Sequence, residues 1–250
     1  MKTLLIETAT QICSVVLAET PSPLRGTPPC QGGESRVVAR RDSDIPNAHS
    51  TRLSVFIDEV LKEGGLTPRD LDAVGVSAGP GSYTGLRIGV STAKGFCYAL
   101  GIPLVSVPTL LSMAALYYRQ HPDYQGLVCP MIDARRMECY TMIVDANLNI
   151  LRDTHADILD KSADSQLSTL NSQLDRGEVM FIGDGAAKTR DVLGSHPNAR
   201  YDEAFRLSAE GMVDLATQRL AAGQTEDVAY FEPFYLKDFV AKKSVVHGLR

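Results

Sequence analysis

Residues Ala78–Ala99 read AGPGSYTGLRIGVSTAKGFCYA, a glycine-rich turn that runs directly into a helical pattern. The preceding Val74-Gly75-Val76-Ser77 reads as a short buried strand, so the segment is a strand, a loop and a helix opening. Gly79 and Gly81 flank Pro80, an arrangement that allows a sharp turn with backbone N–H groups facing an anion at the helix N-terminus. A nucleotide-binding P-loop requires Lys and then Ser or Thr after its last glycine. Here Gly85 is followed by Leu86 and Arg87, which excludes that reading. At about 100° per residue, Leu86, Val90, Ala93, Cys97 and Leu100 share one core-type face. A second stripe, Gly85, Ile88, Thr92, Gly95 and Ala99, is small or apolar and carries no charge. A mid-helix glycine costs roughly 1 kcal/mol relative to alanine, so Gly89 and Gly95 require a packing reason. Two are open: a neighbouring helix of the same domain, or a partner protein.

Working outward, Thr3–Thr8, Cys13–Glu19 and Ser35–Arg41 read as a strand meander. The second and third strands are separated by Thr20–Glu34, whose prolines and glycines cannot support regular structure. A helix beginning at His49 or Ser50 places Leu53, Phe56, Ile57, Val60 and Leu61 on one face and stops at Gly64-Gly65. With strands at Ala73–Ser77 and Pro103–Val107, the first half predicts a mixed sheet with covering helices, residues 1–107. A second unit, 108–222, repeats this order loosely. Thr109 caps a helix through Tyr118, strands follow at Leu127–Asp133 and Glu138–Asp145, and a helix follows at Ala163–Leu174. A strand at Glu178–Ile182 then ends in Gly183-Asp184-Gly185 before a further helix, and Ser208 opens the last helix, closed by Gly223. The tail, 223–250, carries Tyr230, Phe231, Phe234 and Tyr235 and is expected to pack back on the body, the alternative being a docking peptide.

Composition narrows the function classes. The chain has 250 residues, 44% hydrophobic and 22% charged, as expected for one or two soluble domains. Its formal net charge of −5 argues against non-specific nucleic-acid binding by this chain alone. No signal-peptide pattern or membrane span is evident, so a cytoplasmic location is the expectation. Cys13, Cys30, Cys97, Cys129 and Cys139 form no C-x-x-C pair, and four lie in apolar runs, so free buried thiols are expected rather than disulfides or zinc.

Three strand ends could carry chemistry: Glu7-Thr8, Asp133 and Gly183-Asp184-Gly185. Brought together at a cleft, such acids suit water-held Mg²⁺, and a Gly-x-Gly turn admits a nucleotide. Each alone is more often a turn or cap than a ligand, and Arg135, Arg136 and Glu138 read as a solvated or salt-bridged turn rather than a substrate clamp. His49 would need a second histidine four residues on to hold a metal, and that position is Leu53. His121, His155, His196 and His247 are dispersed, and no nucleophile motif is present.

LLIETAT at 4–10, GPGSYTGLRIGVSTAKGFCYALGIPLVSVPTL at 79–110, IDARRMECY at 132–140 and PFYLKDFVAKK near the C-terminus resemble the bacterial tRNA threonylcarbamoyladenosine biosynthesis family TsaB, also called YeaZ. The long second segment is the most specific. The segment 21–33 looks like an insertion, and the match is loose over 153–200. The resemblance implies an α/β fold of the two-domain actin, sugar-kinase and Hsp70 (ASKHA) type. It implies a non-catalytic partner of the ligase TsaD, with the ATPase TsaE completing the complex and tRNA contacted indirectly. Metal and ATP are then expected on those partners and no cofactor on this chain, with weak nucleotide binding and homodimerisation left open. TsaD holds its metal through an H-x-x-x-H pair on the helix corresponding to His49 onward, so Leu53 argues against that subunit. The resemblance further implies an interface through the first-domain helices, to which Val55, Gly85, Ile88, Thr92, Gly95 and Ala99 contribute. Two other classes stay in view. A small-molecule kinase would use Glu7, Asp133 and Gly183-Asp184-Gly185 for Mg-ATP, and a metalloprotease would need a ligand set that is absent from the sequence.

Overall fold

The computed structural model describes residues 1–21, 35–45, 48–159 and 164–237. Most of the expected insertion (22–34, with Cys30), Ala163 and the end of the tail (238–250, with His247) lie outside the described residues. Strands β1 (Lys2–Glu7), β2 (Cys13–Glu19) and β3 (Arg36–Ser43) form the expected antiparallel meander. Strands β4 (Ala73–Gly79) and β5 (Leu104–Pro108) continue the sheet in parallel beside β1, giving the order β3-β2-β1-β4-β5. The second sheet, from β6 (Leu127–Asp133), β7 (Glu138–Val144), β8 (Ile150–Ile158), β9 (Val179–Ile182) and β10 (Ala199–Asp202), has the order β10-β9-β6-β7-β8. Strand for strand this is the same topology, so β6 is the counterpart of β1 and β9 of β4.

Strand alternation sorts the core into layers. Leu4, Ile6, Val15, Leu17, Val74 and Val76 face α1 (Ala48–Glu63) and α2 (Tyr83–Leu100) through Leu53, Phe56, Ile57, Val60, Val90, Ala93 and Cys97. The opposite face of the first sheet, Leu5, Val16, Val105 and Val107, packs on Ala209, Met212, Val213 and Ala216. These belong to a 3₁₀ turn, 209–212, and α6 (Val213–Ala221). The second sheet is covered by α3 (Thr109–Gln120) on one face, and by α4 (Asp164–Leu174) and α5 (Arg190–Leu193) on the other.

Several expectations are corrected. Residues 209–221, grouped by sequence order with the second unit, pack on the first sheet. The anchor is polar as well as apolar, because Ser14 Oγ accepts from Ala209 N at 2.8 Å and donates to Asp42 at 2.5 Å, while Ser208 donates to the same carboxylate at 3.1 Å. The Thr109 hydroxyl does not cap α3. It accepts the Gly79 N–H at 3.1 Å, and Pro108 precedes the helix. Leu100, at the last turn of α2, is only half-buried because Gly101 in the left-handed region ends the helix there. The expected helix after Gly185 is a 3₁₀ turn, 186–189, followed by the single turn α5. Strands β8 and β10 were not expected at all. The expected stop of α1 has a plain cause, since Gly65 at φ 66° closes it with Leu66 N donating to Leu61 O. Helix α2 is opened by Ser82, which the sequence did not single out and which accepts from Gly85 N.

Candidate functional site

The ends of β1, β4 and β6 border a cleft between the two sheets of about 780 Å³, lined among others by Thr10, His49, Ser82, Tyr83, Asp133, Arg135, Tyr140, Asp184 and Tyr235. Of the predicted cleft residues, only Asp133 and Asp184 face it. Asp133 is committed elsewhere: its Oδ1 accepts from Lys188 Nζ at 2.5 Å and from Arg135 N at 2.6 Å. Lys188 also donates to the carbonyls of Arg136 and Glu138. Asp184 Oδ1 accepts from Asp133 N at 2.9 Å, and partial desolvation within the cleft, with the Asp133 charge beside it, raises its pKa. His49 also lines the cleft, and desolvation lowers its imidazole pKa.

Glu7 and Thr8 are fully buried and point away from solvent. Glu7 Oε1 accepts from Ala9 N at 2.6 Å, its Oε2 has no partner, and desolvation raises its pKa to about 7. The glycines explain themselves without a ligand. A Cβ at Gly183 (φ 95°) would lie under 3.0 Å from the Met131 carbonyl, and one at Gly185 would press on Cys139 Sγ. Likewise a Cβ on Gly79 (φ 104°) would meet the Phe234 carbonyl, and one on Gly81 the Ala9 carbonyl. The glycine-rich turn therefore seats protein backbone, and Ser82 N donates to Ala9 O at 2.6 Å rather than to an anion. For the turn around Gly79 and Gly81 this corrects the phosphate-cradle expectation. Among the described residues no group of three or more His, Cys, Asp or Glu side chains converges as a metal site. Leu53, where a second metal-binding histidine would stand, is buried in the core.

The other candidate surface is the outer side of α1 and α2, and here the predicted stripe divides. Gly85 and Gly89 are buried, and a Cβ on either would lie under 3.0 Å from Thr8, on its carbonyl and its Oγ1 respectively. Their packing reason is intramolecular. Ile88 and Thr92 are half-buried, with the Thr92 hydroxyl bonded back to Ile88 O at 2.8 Å. Gly95 and Ala99 are exposed, and nothing lies within 4 Å of a Cβ built on Gly95. Val55, on the neighbouring α1, is 40% exposed. The stripe thus leaves an outward face of small and apolar groups on α2. Lys188 and Tyr98 are functional candidates that the sequence did not single out: the ion pair to Asp133 spans distant chain positions, and Tyr98 falls outside the small-residue stripe.

Two sheets of one topology, flanking a cleft and covered by helices in alternating layers, define a protein of the two-domain ASKHA type. The family model described as "TsaD: tRNA N6-adenosine threonylcarbamoyltransferase" matches residues 43–245. The Escherichia coli (strain K12) tRNA threonylcarbamoyladenosine biosynthesis protein TsaB is 29% identical over 250 residues, covering 98% of both chains. The Bacillus subtilis (strain 168) protein of the same name is 33% identical over 166 residues, covering 65% of this chain and 69% of the relative. The solved structure of YeaZ from Pseudomonas aeruginosa superposes with a TM-score of 0.73 at 24% identity, over 94% of this chain and 99% of that one, which shows the shared fold. The chain belongs to this transferase-like family and, within it, to the TsaB (YeaZ) group of tRNA threonylcarbamoyladenosine biosynthesis proteins. No helix among the described residues is long and apolar enough to cross a membrane.

Proposed function

We propose that this chain is the non-catalytic partner of the transferase TsaD in forming threonylcarbamoyladenosine on tRNA, and that it works by docking TsaD on the outer face of α1 and α2. The observation that carries this reading is the open ground over Gly95, with Ala99 and Thr92 on the same stripe of α2 and Val55 exposed on α1. Small side chains let a second helix approach closely and gain dispersion contacts along its length. Among the described residues no neighbouring group fills the space that the missing side chain of this mid-helix glycine leaves. The cleft supports the same reading by what its groups already do. Lys188 takes the Asp133 carboxylate, and the Gly183 and Gly185 turn is closed by the backbone of β6.

In this assignment the metal and ATP chemistry belongs to TsaD and TsaE, and tRNA is reached through the complex. The small-molecule kinase reading rests on Asp133 and Asp184 facing one cleft. It predicts that Mg-ATP binds this chain tightly and that Asp133→Asn abolishes the binding. The test of the main reading is co-purification with the TsaD of the same organism, followed by threonylcarbamoyl transfer to tRNA with each protein alone and together. Transfer that needs both proteins supports the reading. Full transfer by TsaD and TsaE without this chain, or ATP turnover by this chain alone, overturns it.

A further inference from the structure

The turn between β6 and β7 carries two arginines, Arg135 and Arg136, that the function assigned so far does not use. Its backbone is strained: Arg135 at φ 69° and Arg136 at φ 52° both occupy the left-handed region, which residues with a side chain adopt at a cost. A dense set of bonds beneath the turn offsets that cost. Lys188 Nζ donates to Asp133 Oδ1 at 2.5 Å and to the Arg136 carbonyl at 2.6 Å, and Asp133 Oδ1 also accepts from Arg135 N at 2.6 Å. Ala134 N donates to Glu138 O at 3.1 Å, and Leu159 N to the Met137 carbonyl at 2.7 Å. A backbone fixed at this many points has little freedom left to lose on binding.

The same bonds use up the carboxylates of the turn. Asp133 is taken by Lys188, Asp184 by the Asp133 N–H, and Glu138 pairs with Lys237 rather than with either arginine. Arg135 and Arg136 stand exposed, and neither guanidinium has a carboxylate partner among the described residues. Arg135 lines the cleft together with Tyr83 and Tyr235, whose ring centroids are 4.8 Å apart. The exposed Arg87 lies 5.5 Å over Tyr83 and donates to its hydroxyl at 3.2 Å, again with no carboxylate partner among the described residues. Tyr235 comes from the tail, which packs back only in part. Val228 and Phe231 turn onto the first-sheet core, while Tyr230 is 84% and Phe234 48% exposed, a correction to the expectation for the whole tail. A chain of net charge −5 thus carries a cationic rim at the mouth of its cleft.

We propose that Arg135 and Arg136 hold backbone phosphates of the tRNA, so that within the complex with TsaD this chain touches the RNA directly, with Arg87 extending the cationic rim from the first unit. This rests on the reading of the chain as a partner of TsaD in modifying tRNA. The geometry favours a polyanion over a small one. A lone ion pair in solvent contributes little, so a free phosphate or nucleotide needs enclosing groups that an exposed turn lacks. A nucleic-acid backbone repeats the contact and releases counterions at each one, which makes exposed, unpaired guanidiniums sufficient. The negative net charge sets the limit of the contact: it adds to the phosphate contacts of the partner and does not hold tRNA by itself.

The experiment is fluorescence anisotropy of labelled tRNA, titrated at several KCl concentrations with the full-length chain co-purified with TsaD of the same organism. It compares wild type, Arg135→Ala/Arg136→Ala and Arg135→Lys/Arg136→Lys. The alanine pair is expected to weaken binding about tenfold or more at about 50 mM KCl and to reduce the salt slope of log affinity by about 2, one for each lost phosphate contact. The lysine pair keeps both charges and is expected to keep the wild-type slope. Thermal midpoints and co-purification with TsaD should not change, because the altered groups stand in solvent. Wild-type affinity and slope in the alanine pair, with the complex intact, overturn the RNA contact and leave the partner reading standing. A wild-type chain that does not co-purify with TsaD overturns that reading and this inference with it. Loss of TsaD from the alanine pair gives the turn to a protein contact, and weakened ATP binding with an unchanged tRNA slope gives it to a small anion; either result overturns the assignment.

Discussion

Gly85→Ala and Gly95→Ala are the same change on the same stripe of the same helix, yet the structure gives them opposite signs. At Gly95 nothing lies within 4 Å of the new methyl, so the variant gains only the helix preference of alanine over glycine, about 1 kcal/mol. For a chain of this size that is about 2–4 °C in Tm. At Gly85 the methyl lands on the Thr8 carbonyl, a backbone atom fixed at the end of β1, where yielding means moving the turn that also carries Ala9 O to Ser82. Overpacking of this kind typically costs about 1–3 kcal/mol, which outweighs the smaller propensity gain in the first helical turn. The net expectation is a loss of about 1–2 kcal/mol, or about 2–8 °C. Thermal unfolding followed by circular dichroism, repeated as urea midpoints, reads both variants on one scale. A Gly85→Ala protein as stable as Gly95→Ala would refute the division of the stripe into an inward and an outward half.

Burial raises the folded-state pKa of Glu7 to about 7, above its unfolded value, so the folded state holds the extra proton and stability falls as pH rises from about 4.5 to 7. The effect approaches about 3 kcal/mol at full ionisation, and Glu7→Gln should flatten that slope in urea titrations across the same range. Arg152 pairs with Asp157 at 2.6 Å with both side chains buried, so Arg152→Leu should cost about 3–5 kcal/mol by stranding the carboxylate, while Arg152→Leu/Asp157→Leu recovers much of it. A double-mutant cycle on urea midpoints checks this. Lys94→Met removes two of the bonds that hold the segment 225–237. Chymotrypsin cleavage at Tyr230, followed by mass spectrometry, should accelerate at least about tenfold, since even one of the two lost charge-assisted bonds is worth about 1.5 kcal/mol.

The layers were largely legible in the sequence because they rest on periodicity. The apolar runs of β1, β2 and β6 and the face of α1 from Leu53 to Leu61 all report burial directly. Strand β8 escaped because it is an edge strand with Arg152, Asp153, His155 and Asp157 among exposed apolar residues, so no one face reads as buried. Strand β10, four residues long, is too short to show a period. The return of 209–221 to the first sheet was illegible for another reason: it depends on Ser14, Asp42 and Ser208 meeting across the chain, and sequence order carries no sign of that. In the same way, pattern alone shows that a glycine needs room but not what occupies it. Gly79 and Gly81 suggested a ligand and face Phe234 and Ala9, and Gly85, read as part of an outward stripe, faces Thr8.

The most direct measurement of the central claim is threonylcarbamoyl transfer to tRNA, reconstituted with TsaD and TsaE, for Gly95→Glu and Asp133→Asn side by side. The open space over Gly95 accepts a glutamate in the free protein, and Asp133→Asn keeps an acceptor for Arg135 N, so both variants should fold. A function carried by the docking face predicts transfer lost in Gly95→Glu and retained in Asp133→Asn. Transfer retained in Gly95→Glu and lost in Asp133→Asn would contradict it and move the function into the cleft.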